Sequence, residues 1–399
     1  MLINLQIDFI KILIEEEWLM KKSFGFFWCM VCLAVYVSGC QKMEPPVKGE
    51  INQEAVTVEF PEYYEKAYDK LNFKTVIVVP EKADVNGLER FTAKRAGYDM
   101  NSAYDAFFKD REVKEIHEGD VLGDNGKMLK SKHYVGTNKE YFHINGESLT
   151  FSLPFSNYIL RCVYPESGRS RYNLDRYELN GELKFMSGED VYEEILSVLN
   201  RIGFESDMDF IPSIYAMDYK ILEQEEYASD MYGNEDTSKY KESWNDQDSC
   251  YYCFVRQKIE GLPLYYVYGN VMKNVEACYT GVEVIYSEEG IQRLDIDKLF
   301  EMNPSEEKKP VSLLTLDELT EKVESQYEMI ISDDVFEVNK MALYMMAQKN
   351  TENSYDIFPV WILFMDQIQM DGGEEIRTLW GTLEIPENTA FLQILFDYK

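Results

Sequence analysis

The sequence predicts an α+β fold made of tandem units, each a helix followed by an antiparallel sheet, placed behind a cleaved N-terminal signal. Three observations carry this expectation. Two amphipathic helix patterns in the second half of the chain open at Ser187 and Thr315, each hydroxyl followed three residues later by an acid. Each helix leads to a proline-started aromatic run, Pro263 to Tyr268 and Pro359 to Phe364. In the first half, short β-like runs are separated by Asn145-Gly146, a hairpin signal that belongs to antiparallel pairing.

The 399 residues carry 72 Asp and Glu against 40 Lys and Arg, for a formal net charge of −32. That charge excludes most nucleic-acid binders, because releasing counterions from phosphates needs clustered cations, and no nucleic-acid partner is expected. With 45% apolar and 14% aromatic residues, the chain also has too much core-forming material for an acidic disordered tail. At about 100–200 residues per domain, the length accommodates two or three domains.

Met1 to Leu19 ends on Glu15-Glu16-Glu17-Trp18-Leu19, which puts acid where an export signal carries base. Three Glu codons just upstream of the Met20 codon read as a ribosome-binding site, so residues 1–19 read as a mis-annotated leader; an unusually long signal peptide is the alternative. Met20-Lys21-Lys22, the apolar run Phe24 to Val37 and the small pair Ser38-Gly39 before Cys40 have the layout of a secretory signal. Val37-Ser38-Gly39-Cys40 resembles the lipobox of bacterial lipoproteins. That resemblance implies a lipoprotein signal peptide over 20–39, diacylglycerol on the Cys40 thiol, and cleavage that leaves Cys40 first. An uncleaved membrane anchor is the alternative, since the apolar run is nearly long enough to span a bilayer. The leader carries net −3 and the signal peptide +2, so the acidity belongs to the folded part. Residues 40–53, with Pro45-Pro46, read as a tether.

An N-terminal α+β domain over 54–179 follows. Lys74 to Pro80 reads as a buried strand and Asp99 to Lys109 as a helix. Ser131 to Val135, Glu140 to Ile144, Ser148 to Leu153 and Tyr158 to Val163 read as strands. Residues 180–305 and 306–399 then read as two copies of one unit. After each helix comes a strand-like run (Ser213 to Leu222; Phe336 to Ala347), then the proline-started strand, then a Gly-led strand (Gly281 to Ile285; Gly381 to Ile385). The expectation includes equivalent strand starts at Pro263 and Pro359, with Glu223 to Ser249 inserted in the first copy.

Of the seven cysteines, Cys29 and Cys32 leave with the signal and Cys40 takes the lipid, which leaves Cys162, Cys250, Cys253 and Cys278. Cys250-Tyr-Tyr-Cys253 has redox or zinc spacing, but it sits in a strand-like run, where residues three apart point to opposite faces. Structural thiols are the better reading. His117, His133 and His143 form no HExxH pair and stand near no Gly-x-Ser-x-Gly elbow, and no phosphate loop is present. Asp120 to Gly126 lacks the alternating ligands and terminal Glu of a calcium loop and reads as a solvated turn. No metal or cofactor is expected. So many acids make any chosen carboxylate pair arbitrary. Aromatic rings stack on sugar faces while carboxylates accept hydroxyl protons, which makes Tyr265, Tyr266, Tyr268, Trp361 and Trp380 candidate ligand-binding residues.

The lipobox, the strand Val76-Ile-Val-Val-Pro80, the helix opening Leu314-Thr-Leu-Asp-Glu-Leu319 and the strand Phe358-Pro-Val-Trp361 together resemble an uncharacterised family of lipoproteins from Gram-positive bacteria. Its C-terminal units are similar to the extracytoplasmic α+β domains of the YycH and YycI regulators and to PepSY modules. The resemblance implies interaction with another envelope protein at the outer face of the cell membrane; with no catalytic motif in the sequence, no enzymatic role is expected. A solute- or glycan-binding lipoprotein is the second expectation and an envelope hydrolase the third.

Overall fold

Alternating apolar and polar side chains favour strands over helices along this chain, and among the described residues those strands form two sheets. The computed structural model describes residues 60–81, 83–123, 128–164, 173–204, 208–265, 281–297, 299–302, 308–327, 334–351, 354–371, 374–386 and 393–396. All of them fall within one compact unit, Thr57–Lys399. Leader, signal peptide, Cys40, tether and Cys278 lie outside the described residues.

In chain order the elements begin with β1 (Tyr63–Ala67), β2 (Leu71–Val78), β3 (Glu89–Arg95), α1 (Met100–Phe107), β4 (Val113–Leu122), β5 (Met128–Gly136), β6 (Tyr141–Ile144), β7 (Ser148–Ser152) and α2 (Ser156–Ile159). There follow β8 (Glu178–Leu179), α3 (Gly188–Arg201), β9 (Asp209–Met217), α4 (Tyr219–Glu225), β10 (Cys250–Ile259), β11 (Leu262–Pro263), β12 (Gly281–Ser287) and β13 (Gly290–Asp297). The last are β14 (Phe300–Met302), β15 (Lys309–Pro310), α5 (Leu316–Tyr327), β16 (Val335–Thr351), β17 (Ser354–Asp371), β18 (Glu374–Pro386) and β19 (Gln393–Phe396).

The first sheet runs β1-β2-β16-β17-β18-β19, with β3 also on β17. The second runs β4-β5-β6-β7-β13-β12-β10-β9-β8, with β11 on β10. Strand pairing therefore crosses the expected domain boundaries. β2 lies parallel to β16, and β7 pairs antiparallel with β13. Leu264 bridges to Met345, which ties the β11 end of the second sheet to β16 of the first.

Both expected capped segments are helices. The Ser187 hydroxyl accepts from Asp190 N at 3.1 Å, and α3 buries Val191, Ile195, Val198 and Leu199 along one stripe. Ahead of α5, Glu318 accepts from Thr315 N at 2.9 Å while its own N–H donates to the Thr315 hydroxyl at 3.4 Å, a reciprocal cap. Leu319 and Val323 of α5 pack on the first sheet with Phe73, Phe336 and Trp361. The α3 stripe packs on the second sheet with Phe142, Phe151, Leu294, Val284 and Cys253. Each fully buried Leu, Ile or Phe contributes about 1.5–3 kcal/mol relative to exposure. Four strands in meander order follow each helix, β9-β10-β12-β13 after α3 and β16-β17-β18-β19 after α5.

Several expectations require correction. Tyr158 to Val163 is not a strand: Pro154 precedes the short α2, and the chain then turns so that Cys162 and Val163 are buried. The strand expected over Ser213 to Leu222 stops at Met217, because the Asp218 carboxylate accepts from Lys220 N at 2.9 Å and caps α4. Pro359 does not start a strand; it lies inside β17, opposite Met345. The sheet tolerates it because, on its other edge, β17 pairs with β3 only through Ile357 and with β18 only from Val360 onward, so no described ladder there needs its missing N–H. Pro263 ends the two-residue β11, so the two prolines are not equivalent.

Candidate functional site

On the α3 side, the second sheet presents an apolar row of direct cross-strand partners, Phe142, Phe151, Leu294, Val284, Cys253 and Ile214. Because side chains alternate across a strand, the residues between them face the other way. There the ladder aligns His117, His133, His143, Thr150, Asp295, Glu283, Phe254 and Ser213, one from each of β4, β5, β6, β7, β13, β12, β10 and β9. A second row beside it contains Tyr141, Ser152, Arg293, Ile285, Tyr252 and Tyr215. This polar face is the candidate site. His133, His143, Thr150, Asp295 and Glu283 are half-buried, whereas Tyr252 and Ile285 of the second row are sealed into the cluster with Cys162, Leu222 and Cys250, and His117 at the edge is exposed.

At its centre Glu283 and Asp295 oppose each other directly across β12 and β13. Like charges in this arrangement repel, and burial raises the cost of ionising either. Glu283 is half-buried as a residue, its carboxyl being the desolvated part. Burial, then the Asp295 charge, push that carboxyl up to about 7, against the opposing effects of Arg293 and a hydrogen bond from Tyr252. Burial also raises Asp295, although the Arg293 guanidinium at 2.5 Å and Thr150 favour its charged form. Near neutral pH the Glu283 carboxyl can give up or take up a proton, while Arg293 offsets part of the cost of charging Asp295.

Toward the sheet edge, the His133 and His143 rings stack with centroids 4.2 Å apart. His143 Nε2 is 2.9 Å from the buried Ser131 hydroxyl, and His133 Nδ1 is 3.0 Å from the Tyr141 hydroxyl. Burial, then the neighbouring His133, lower the His143 pKa. Ser131 is 2% exposed, so the Ser131–His143 contact is a packed hydrogen bond and not an accessible nucleophile with its base. Although the three histidines align, among the described residues no three His, Cys, Asp or Glu side chains converge to hold a metal.

Of the sequence-chosen aromatics, the two whose side chains are described, Trp361 and Tyr265, lie in separate clusters. Trp361 is 2% exposed and packs edge-on against Phe60 in the core beneath α5. Tyr265 packs against Tyr344 at a tilt, with centroids 5.3 Å apart, in the separate cluster that holds Val360 and Ile362. Tyr266 and Tyr268 lie outside the described residues, and for Trp380 only its backbone place in β18 is described. Cys250 and Cys253 point to opposite faces, Cys250 into the cluster with Cys162 and Trp244, Cys253 beneath α3. These three cysteines are free thiols.

Reading the sequence alone does not assemble this face. Its signal is the alternation in Tyr141-Phe-His-Ile144, Ser148-Leu-Thr-Phe-Ser152 and Arg293-Leu-Asp-Ile296, which gives each strand an outward polar set. The lateral order that puts Thr150 beside Asp295 is not encoded in any local pattern.

No family model and no curated protein matches the chain. Among solved structures it is similar to an uncharacterized protein from Eubacterium rectale ATCC 33656, with a TM-score of 0.56 and 16% sequence identity, covering 83% of this chain and 93% of that one. It is weakly similar to the Bacillus megaterium YpeB C-terminal domain, with a TM-score of 0.25 and 10% identity over 72% of this chain and 96% of that one. The first likeness establishes a shared mixed α+β fold with large antiparallel sheets.

Proposed function

We propose that this chain is a lipid-anchored extracytoplasmic binding protein of the cell membrane, held by diacylglycerol on Cys40, that engages another envelope protein through the polar face of its second sheet. The anchor rests on the basic, apolar and small-residue segments that end at Cys40. The observation that carries the binding reading is the half-buried row from His143 through Thr150 and Asp295 to Glu283, on the face opposite α3. The cluster of Ile159, Cys162, Leu222, Cys250, Tyr252 and Ile285 covers part of that face but leaves these four residues half-buried, and a sheet side that is not fully packed remains for water or a partner. We read the two helix-plus-meander segments as copies of one unit, of which the first has been adapted for contact. That reading, like membership of a Gram-positive lipoprotein family, is supported by element order and by the sequence motifs, and it includes no catalytic step.

A glycan- or solute-binding role is the second reading. It is favoured by the half-buried Tyr141 and Tyr215 in the row beside the Glu283–Asp295 pair, since phenol rings and carboxyls together suit hydroxyl-rich ligands. Affinity capture from solubilised membranes, run beside a glycan array, separates the two. The first reading expects one envelope protein enriched by the wild type and lost with Thr150→Arg, with the array silent. Array binding that Thr150→Arg abolishes selects the second reading, and no response in either assay overturns both.

A further inference from the structure

Beyond any ligand, the imidazole pair has its own consequence for the sheet. We propose that the stacked His133–His143 pair is an acid-sensitive latch, and that protonation of both rings opens the pairing of β5 with β6. The proposal stands independently of the binding reading.

Its basis is the arrangement of the pair. The rings are direct cross-strand neighbours with centroids 4.2 Å apart. One proton between them is tolerable, whereas two like charges directly opposed across a ladder drive the strands apart. Nearby acids are already engaged. On β4, the Glu115 carboxylate lies 3.0 Å from Lys114 and 3.4 Å from His117. On β13, Asp295 is held by Arg293 at 2.5 Å. The remaining groups on this side are Ser131 on β5, Tyr141 on β6, and Thr150 and Ser152 on β7, none of which carries a compensating negative charge at neutral pH. Burial and the second ring already disfavour charging His143.

The structure also localises the effect. Four register pairs, from Lys132–Ile144 to Val135–Tyr141, join β5 to β6, and β4 reaches the sheet through β5. Separation there releases the outer hairpin and leaves the apolar row under α3 in place.

The chain has three histidines, so ring-labelled full-length protein in detergent gives an NMR titration that single substitutions assign. The expected result is a His143 midpoint below the ordinary imidazole value of about 6.5, raised in His133→Gln. Amide exchange should show Phe142 and Ile144, the β6 amides that alternate toward β5, losing protection between about pH 7 and pH 5, while Met341 to Met346 in β16 keep theirs. His143→Gln should retain that protection at acid pH, and His133→Gln supplies the same test if His143→Gln does not fold. An unshifted His143 midpoint, or equal acid-induced loss in the substituted proteins, would overturn the latch.

Discussion

Glu283 shows how one residue acquires a property from its neighbours. The same carboxyl in an unfolded chain would titrate at about 4.5, whereas burial and Asp295 place it at about 7 in the fold. Between those values the folded state binds the proton more tightly, so stability falls as pH rises through the window, and the penalty is complete above it. Allowing for its half-burial, the cost at pH 8 is of order 1–3 kcal/mol. Urea midpoints should therefore show Glu283→Gln more stable than the wild type near pH 8, with the advantage gone near pH 5; an equal difference at both values would refute the assignment. The thiols follow the same physics. Burial pushes Cys162, Cys250 and Cys253 above the ordinary thiol range. A thiol-alkylating reagent at about pH 8 should leave all three unmodified in the native protein and label them after denaturation, as peptide mass spectrometry can read out.

At the scale of elements, α3 is where sequence pattern and tertiary packing agree most closely. Its apolar stripe, its Ser187 cap and its first-turn acids Glu189 and Asp190 all favour a helix that begins at the same place. Ser187→Ala should cost about 0.5–2 kcal/mol by chemical denaturation, and Ile195→Ala, at 1% exposure in the core, about 2–5 kcal/mol. A smaller loss at Ile195 than at Ser187 would mean that the helix is not the cover of the second sheet. The hairpin at Asn145-Gly146 was equally legible. Asn145 Oδ1 accepts from Glu147 N at 2.9 Å and Ser148 N at 2.7 Å, and Gly146 takes φ +84°, which a side chain would resist. The segment after Pro154 was not legible in the same way. Tyr158 to Val163 has strand-like composition, but Ile159, Cys162 and Val163 are buried from a short helix and turn instead.

For the whole molecule, the anchor is the property to test first. Cys40→Ala should abolish incorporation of labelled fatty acid and move the protein from the detergent phase to the aqueous phase, because two acyl chains hold a protein firmly where one does not. Equal labelling of the variant would remove the membrane attachment from the proposed function. The sequence by itself determined where helices α1, α3 and α5 start, which residues alternate along the strands, and that Cys250 and Cys253 diverge, because each depends on a local period or cap. Only the tertiary structure decided that β2 joins β16 rather than a sheet of its own N-terminal domain, and that Trp361 is core while Thr150, Asp295 and Glu283 align half-buried on the face opposite α3. The reason is that strand pairing joins residues more than a hundred positions apart, such as Thr150 and Asp295, through backbone hydrogen bonds common to every residue type. Which partner a strand takes is settled by how whole faces pack together, and no single segment carries that information.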